Sequence, residues 1–362
     1  MKTLIPPFNY HDPAIFAVEQ KKVFARTWCC VGFRHQVAKH NDFITRDVGG
    51  YSVVVHNFDG SLKGFHNVCS HRFNRIHPEG EGNRPLQCSY HGWSYNEEGL
   101  PTAIPKRPRF DDLSPEKICE LRLQAWRVET CGQLVFVCRD PGGPELRDFL
   151  GACFDTVERM SNACGPRIDV NGMTIRANWK VLVENTLESY HVGFVHPNSF
   201  SRLNAGEGVF AWQPPHSSWE TPLGPKFISR MDKLMPLFES RPLKLAGYFH
   251  QLVFPNLTIA STQGTSFSVQ FFEPVGPAET RFTSVVFQTR LGDVSPGTQA
   301  AVDALNQSVK DFNRAVFTED KDVCEQVQRG ATETSQAGLL SDEELRVGDF
   351  QSHYLRSMEA QS

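Results

Sequence analysis

The sequence predicts a two-domain α+β protein: a small all-β domain, followed by a larger one that sets helices against an antiparallel sheet. Three observations predict it. The chain has 362 residues, more than one ordinary core organises, so two interiors are expected. Its pattern changes from short strands to mixed elements near residue 140. A long amphipathic helix then follows alternating segments near the end.

From Trp28 to about Asp140, short strands alternate with turn residues: Tyr51-Ser52-Val53-Val54-Val55, the turn pair Asp59-Gly60, Leu62 to Val68, and Leu134-Val135-Phe136-Val137. Pro141-Gly142-Gly143-Pro144 marks a boundary, and a helical stretch from Glu145 to about Arg159 opens the second domain. Asn178 to His191 has helical periodicity through Trp179, Leu182, Val183, Leu187 and Tyr190. Phe267 to Phe271 alternates and Arg281 to Arg290 is β-rich, with Pro274 to Thr280 as a hairpin connection. The last helix, about Gln299 to Gln328, carries the stripe Val302, Leu305, Val309, Phe312, Val316, Val323 and Val327, with Gly330 as its C-cap. There is no internal repeat or low-complexity segment.

Apolar residues make up 40% and charged residues 22%, with a net charge of -4, so there is no basic footprint for nucleic acid. The N-terminus lacks the apolar run of a signal peptide, and no run of ~18 apolar residues suggests a membrane span, so a cytoplasmic location is expected. Ten Cys without a secretory signal point to reduced thiols or metal ligation. Cys29, Cys30, Cys119, Cys131, Cys138, Cys153, Cys164 and Cys324 have no ligand-like spacing and read as buried small hydrophobes. His66 and His77 read as ordinary polar residues.

Cys69 and Cys88 are different. Cys69-x-His71 and Cys88-x-x-His91 are separated by 16 residues, each pair at the point where a strand gives way to a turn, so two loops can pinch one cluster. An iron-sulfur centre with two thiolates on one iron and two imidazoles on the other has a potential raised by roughly hundreds of millivolts. A structural zinc site uses the same residue types, although zinc sites usually pair Cys with Cys and His with His.

A second set lies in Glu184-Asn185-Thr186-Leu187-Glu188-Ser189-Tyr190-His191-Val192-Gly193-Phe194-Val195-His196-Pro197. Two His and one carboxylate on one face of an iron leave the other positions open for dioxygen and substrate. Glu184, Glu188 and His191 share one helical stripe, which taken alone is more often a solvated face. Gly193 permits the chain to turn, so that His196, before helix-stopping Pro197, can swing back toward His191. For the carboxylate, Asp320 lies four after Val316 and three before Val323 and interrupts the buried stripe, where it needs a partner. Glu319 fits nearly as well, and periodicity does not separate the two.

The segment Cys88-Ser89-Tyr90-His91-Gly92-Trp93 resembles the second loop of Rieske proteins. Asn178-Trp179-Lys180, followed by carboxylate, two residues, His, four residues, His, resembles the iron-binding motif of Rieske non-haem iron oxygenases. Glu319-Asp320 with Glu325-Gln326-Val327-Gln328-Arg329-Gly330 resembles the ligand helix of that family, in which the Asp of the pair binds iron. On these motifs the chain is identified as a member of the terminal oxygenase (alpha) subunits, most similar to the carnitine monooxygenase branch. It departs from the family pattern at Ser70, where Pro is common, and at Phe73, where a small residue is common; Phe73 is expected to alter packing over the cluster.

The resemblance implies an N-terminal helical segment over 1–40 packed on the catalytic domain, a Rieske domain over 41–140 and a helix-grip catalytic domain over 141–362. It implies a [2Fe–2S] cluster on Cys69, His71, Cys88 and His91, and mononuclear Fe(II) on His191, His196 and Asp320. Glu188 would bridge a cluster His of one subunit and an iron His of the next in a homotrimer. Electrons would come from a separate NAD(P)H-dependent reductase of flavin or ferredoxin type, since this chain has no glycine-rich dinucleotide fingerprint. Glu188, where most members have Asp, tilts the substrate toward a small quaternary ammonium compound, monooxygenated with demethylation or C–N cleavage. Trp212, Trp219, Tyr248, Phe249, Phe254, Phe271 and Phe272 could cage its headgroup or simply fill the core. An aromatic ring dioxygenase or O-demethylase is the alternative within the class. A Rieske electron carrier and a zinc-stabilised interaction protein are the alternatives outside it.

Overall fold

The computed structural model describes residues 3–203, 206–234, 243, 245, 247–292 and 296–359. The chain divides into two compact units, Glu19–Phe149, and Met1–Val18 with Leu150–Ser362. The sequence placed the divisions at 40 and 140. The segment from Cys29 onward instead belongs to the first unit, because its strand hydrogen-bonds into that unit's sheet.

The first unit contains β1 (Cys29–Phe33), β2 (Asp42–Val48), β3 (Tyr51–Phe58), β4 (Ser61–His66), β5 (Glu81–Asn83), β6 (Ser94–Tyr95), β7 (Pro101–Ala103), β8 (Ala125–Cys131) and β9 (Leu134–Cys138). Seven of these form one sheet in the order β1-β9-β8-β4-β3-β2-β5, and β6 and β7 form a separate ribbon. Asp59 and Gly60, at φ 50° and 96°, make the two-residue turn between β3 and β4, where a primed turn needs positive φ at both positions. Val54, Phe43 and Phe65 from this sheet share a core cluster with Cys69, Cys88, Trp93 and Tyr95, so the sheet's interior runs directly into the cysteine loops.

The second unit holds β10 (Cys164–Ile175), β11 (Val209–Gln213), β12 (His216–Thr221), β13 (Tyr248–Val253), β14 (Leu257–Thr262), β15 (Ser266–Gly276) and β16 (Glu279–Thr289). Their order, β10-β16-β15-β14-β13-β12-β11, is an antiparallel meander with β10 added beside β16. The β15–β16 hairpin is tighter than expected, with Gly276 opposite Glu279. Four helices matter for the site: α1 (Trp179–Thr186), α2 (Val192–Val195), α3 (Pro296–Glu333) and α4 (Leu345–Glu359). Helix α3 grips the sheet through Phe317 on Phe282 (ring centroids 4.6 Å) and through a bidentate Arg314–Asp169 pair (2.8 Å each).

Three expectations change. Gly330 is inside α3 rather than capping it. Near the helix end the buried positions are Cys324, Glu325 and Gln328, and Val327 is exposed. This polar face is stable because each polar group finds a partner: Glu325 takes Arg176, while Gln328 accepts from the Asn178 N–H (2.8 Å) and donates to the Tyr10 carbonyl (3.0 Å). Among the eight unassigned cysteines, Cys119 is exposed and the others are buried or partly buried.

Candidate metal centres

Helix α1 starts where Asn178 caps it, the side-chain oxygen accepting from the Lys180 N–H (3.0 Å). It stops at Thr186, one turn short of the expected end. The Thr186 hydroxyl donates to the Val183 carbonyl (2.8 Å), and the Leu187 N–H closes onto the Glu184 carbonyl (3.0 Å). Glu184 therefore does not line up with Glu188 at a metal. It is partly buried, held by the Tyr10 hydroxyl (2.9 Å) and Gln351 (3.2 Å), and loss of solvation pushes its carboxyl up to about 7 against those bonds.

His191 and His196 bracket α2 at its two ends. Gly193 lies within that short helix and has ordinary helical φ, so the helical turn itself, not a glycine bend, returns His196 to His191. The ring Nε2 atoms come to 3.2 Å, and Asp320 Oδ1, delivered by α3, lies 3.1 Å from His196 Nε2 and 3.7 Å from His191 Nε2. One ligand atom from each of these residues lies within 4.8 Å of the others.

The surrounding bonds show what this trio can hold. His191 Nδ1 is bound by Glu188 Oε1, and His196 Nδ1 by Glu319 Oε2 (2.7 Å). Carboxylates accept, so both Nδ1 atoms carry protons, and in the neutral rings both Nε2 atoms present bare lone pairs. Two bare nitrogens and a carboxylate oxygen facing one another repel unless a cation sits among them, so the donor set fits a metal ion. Burial would raise the Glu319 carboxyl, but bonds from Ser199 (2.5 Å) and His196 hold it below the usual range, and it remains an acceptor. Asn185 steadies Asp320 through a 2.8 Å bond to Oδ1. No local pattern in the sequence marks Asn185 or Ser199.

The Cys/His loops are built alike. The Cys69 N–H bonds to the Asn74 carbonyl (2.9 Å) and the Phe73 N–H returns to Cys69 (3.0 Å); Cys88 with Trp93 (2.8 Å) and Gly92 (2.9 Å) repeats the pattern. The fifth residue of each loop has positive φ, 61° at Phe73 and 72° at Gly92. Phe73 is 81% exposed and does not pack over the cluster position as expected; its bulk is tolerated because it points to solvent. The Cys69 and Cys88 side chains are buried, and the His71 and His91 rings meet at 4.6 Å. His71, stacked on Trp93 at 4.9 Å, has an Nδ1 without a hydrogen-bond partner among the described residues. Two buried thiols beside two imidazoles, one with an orphaned nitrogen, fit a cluster held by both pairs.

The Tyr95 hydroxyl lies 3.1 Å from Cys69 Sγ and accepts from the Ser70 N–H (3.1 Å). A ligating thiolate can only accept, so the phenol donates to it. Tyr95→Phe is expected to lower the cluster's reduction potential by roughly 60 mV, the one-electron equivalent of a ~1.4 kcal/mol bond to a charged acceptor. A redox titration followed by EPR checks this, and an unchanged potential refutes the assigned donor.

Residues 27–127 match the Rieske [2Fe-2S] domain, and residues 157–360 match the ring hydroxylating alpha subunit (catalytic domain). The chain belongs to the ring-hydroxylating alpha-subunit family. Its cofactors are a Rieske [2Fe–2S] cluster and a mononuclear iron, and it is an oxygen-incorporating oxidoreductase, the terminal oxygenase of a Rieske system. The carnitine monooxygenase oxygenase subunit of Acinetobacter baumannii is 27% identical over 339 residues, 90% of this chain and 84% of the relative. The large oxygenase component of the naphthalene 1,2-dioxygenase system of Pseudomonas aeruginosa is 31% identical over 207 residues, 55% of this chain and 45% of the relative. The fold is also that of the quaternary ammonium Rieske monooxygenase CntA solved with L-carnitine (TM-score 0.76, 22% identity, covering 97% of this chain and 94% of that one). No helix among the described residues is long and apolar enough to cross a membrane.

A pocket of about 60 Å³, open to solvent, borders the His191–His196–Asp320 set. Of the aromatic residues singled out in the sequence, Trp219 and Tyr248 line it, joined by Phe200. Phe249, Phe254, Phe271 and Phe272 are buried, and Trp212 is exposed on the edge strand β11.

Proposed function

We propose that this terminal oxygenase takes electrons from a separate NAD(P)H-dependent reductase of flavin or ferredoxin type and monooxygenates a small quaternary ammonium compound, with demethylation or C–N cleavage. The observation that carries the reading is the placement of Phe200, Trp219 and Tyr248 around the same cavity as His191, His196 and Asp320. Aromatic faces attract a cationic headgroup, and would hold it beside the metal-binding residues. The names of the carnitine monooxygenase relatives support it.

In this reading Cys69, His71, Cys88 and His91 hold the cluster, and His191, His196 and Asp320 hold the iron. Bound there, the cluster would supply electrons and the ferrous iron would supply dioxygen activation. Glu188 and Glu319 fix the two imidazoles by accepting hydrogen bonds from their Nδ1–H groups, which sets ring orientation and ligand basicity. Val316 and Phe317 line the same cavity with apolar surface and limit water beside the reacting substrate.

A homotrimer belongs to the proposal, the cluster of one copy serving the iron of its neighbour. Phe73 in the Cys69 loop, Tyr90 beside His91, and Tyr190 and Phe194 near His191 are exposed aromatic side chains of the kind an interface covers.

The test is a single turnover of the reduced, iron-loaded protein with ¹⁸O₂ and γ-butyrobetaine or naphthalene. One ¹⁸O atom per quaternary ammonium consumed is the expected result. Two ¹⁸O atoms in a naphthalene diol, with the ammonium compound untouched, would replace this reading with ring dioxygenation.

A further inference from the structure

Strand β13 sets His250 between a buried guanidinium and the cavity. His250 is 3% exposed and Arg346, on α4, is 1% exposed. Arg346 donates from Nε to Ser217 Oγ (3.1 Å) and from Nη2 to the Ser217 carbonyl (3.2 Å), and its Nη2 stands 3.3 Å from His250 Nδ1. A guanidinium has only donors, so Nδ1 must accept, and the proton of the neutral ring is on Nε2. Burial, helped by the Arg346 charge, pushes the His250 imidazole well below its ordinary range, which keeps it neutral. Burial also brings Arg346 down to about 9, so it is still a cation at neutral pH.

The other ring nitrogen is the informative one. His250 lines the cavity, yet its buried Nε2–H has no hydrogen-bond partner among the described residues. Buried donors are rarely left unpaired without a role. Gln270, which lines the same cavity, has both ends of its amide engaged: Oε1 accepts from Thr258 (2.7 Å) and Nε2 donates to Ser268 (3.2 Å). His250 is thus a free, polarised donor in that wall.

We infer that His250, set in its tautomer by Arg346, is a specificity residue that binds a carboxylate oxygen of the substrate. The charge of Arg346 behind the ring makes Nε2–H a stronger donor and favours an anionic acceptor over a neutral one. The inference rests on reading the cavity as the substrate site, and it deepens the proposed substrate class: a molecule with a cationic headgroup at one end would carry a carboxylate at the other.

Calorimetric binding of four probes to the cluster- and iron-loaded protein tests it: γ-butyrobetaine, butyltrimethylammonium, 3-phenylpropionate and propylbenzene. In the wild type, the carboxylate-bearing member of each pair is expected to bind about tenfold tighter or more, as a charge-assisted bond requires. His250→Phe should erase that difference within both pairs while iron content and the cluster spectrum stay unchanged. Equal affinities within the pairs, binding of none of the four, or a preference that survives His250→Phe overturns the inference. If the variant does not fold, the wild-type comparison decides alone. A carboxylate preference seen only in the aromatic pair, with neither ammonium probe bound, overturns the proposed headgroup and leaves the role of His250 standing.

Discussion

His191→Ala, His196→Ala and Asp320→Ala are each expected to lose the mononuclear iron, and with it at least ~10²-fold in oxygenation, while keeping the visible and EPR spectrum of the Rieske cluster. The reason is geometric. The three ligand atoms come from both ends of α2 and from the middle of α3, so removing one leaves two donors that do not close a site. The cluster loops belong to the other compact unit and have their own core. Neighbouring carboxylates give the contrast. Glu319 touches His196 Nδ1, so Glu319→Ala should weaken iron binding by about 10–100-fold without abolishing it. Asp322, exposed and paired only loosely with Lys321 (3.9 Å), should be silent. Metal analysis beside the spectrum separates these outcomes. Iron retained in Asp320→Ala but lost in Glu319→Ala or Asp322→Ala would show the third ligand misassigned.

The β-hairpin at Asp59-Gly60, the two-unit plan and the presence of strand β15 were legible in the sequence because they rest on local rules: turn chemistry, a Pro/Gly break, a β-rich apolar run. The spacings Cys-x-His, Cys-x-x-His and His-x₄-His were legible because ligands on one loop must sit close in sequence. Periodicity could not separate Glu319 from Asp320, which stand about 100° apart on a helix; only the seating of α3 decides that one meets Nδ1 and the other Nε2 of His196. Arg346 reaches His250 across 96 residues, and Tyr95 reaches Cys69 across 26, so no local pattern announces either contact. The helix predicted through His191 ends early for a related reason. Its apolar period continues past Thr186, but side-chain bonding to the backbone ends the helix, and a period alone does not see that competition.

Glu188 should behave as a bridge to the iron site and not as a ligand. Its two oxygens are both turned to His191, Oε1 on Nδ1 and Oε2 on the backbone N–H (3.1 Å), so the carboxylate and the imidazole form one unit although no continuous helix joins them. It sits on the side of the ring away from the Nε2 that faces His196 and Asp320. Glu188→Gln keeps the shape and removes the charge, and Glu188→Ala removes the contact. Both are expected to keep the cluster and to bind iron, with affinity weakened about 10–100-fold, since the ring loses its orienting partner and not its bond to the metal. With iron restored by excess metal, both should still reoxidise the cluster slowly when substrate and dioxygen are added, because the carboxylate that would link the imidazole to the next copy's cluster is gone. Glu188→Asp preserves charge but shortens the reach by one methylene, so it should retain part of the rate. Stopped-flow decay of the reduced-cluster signal, with iron content measured on the same samples, makes the distinction. Normal reoxidation in Glu188→Ala would mean that electrons travel by another route, and iron that excess metal cannot restore would place Glu188 among the ligands.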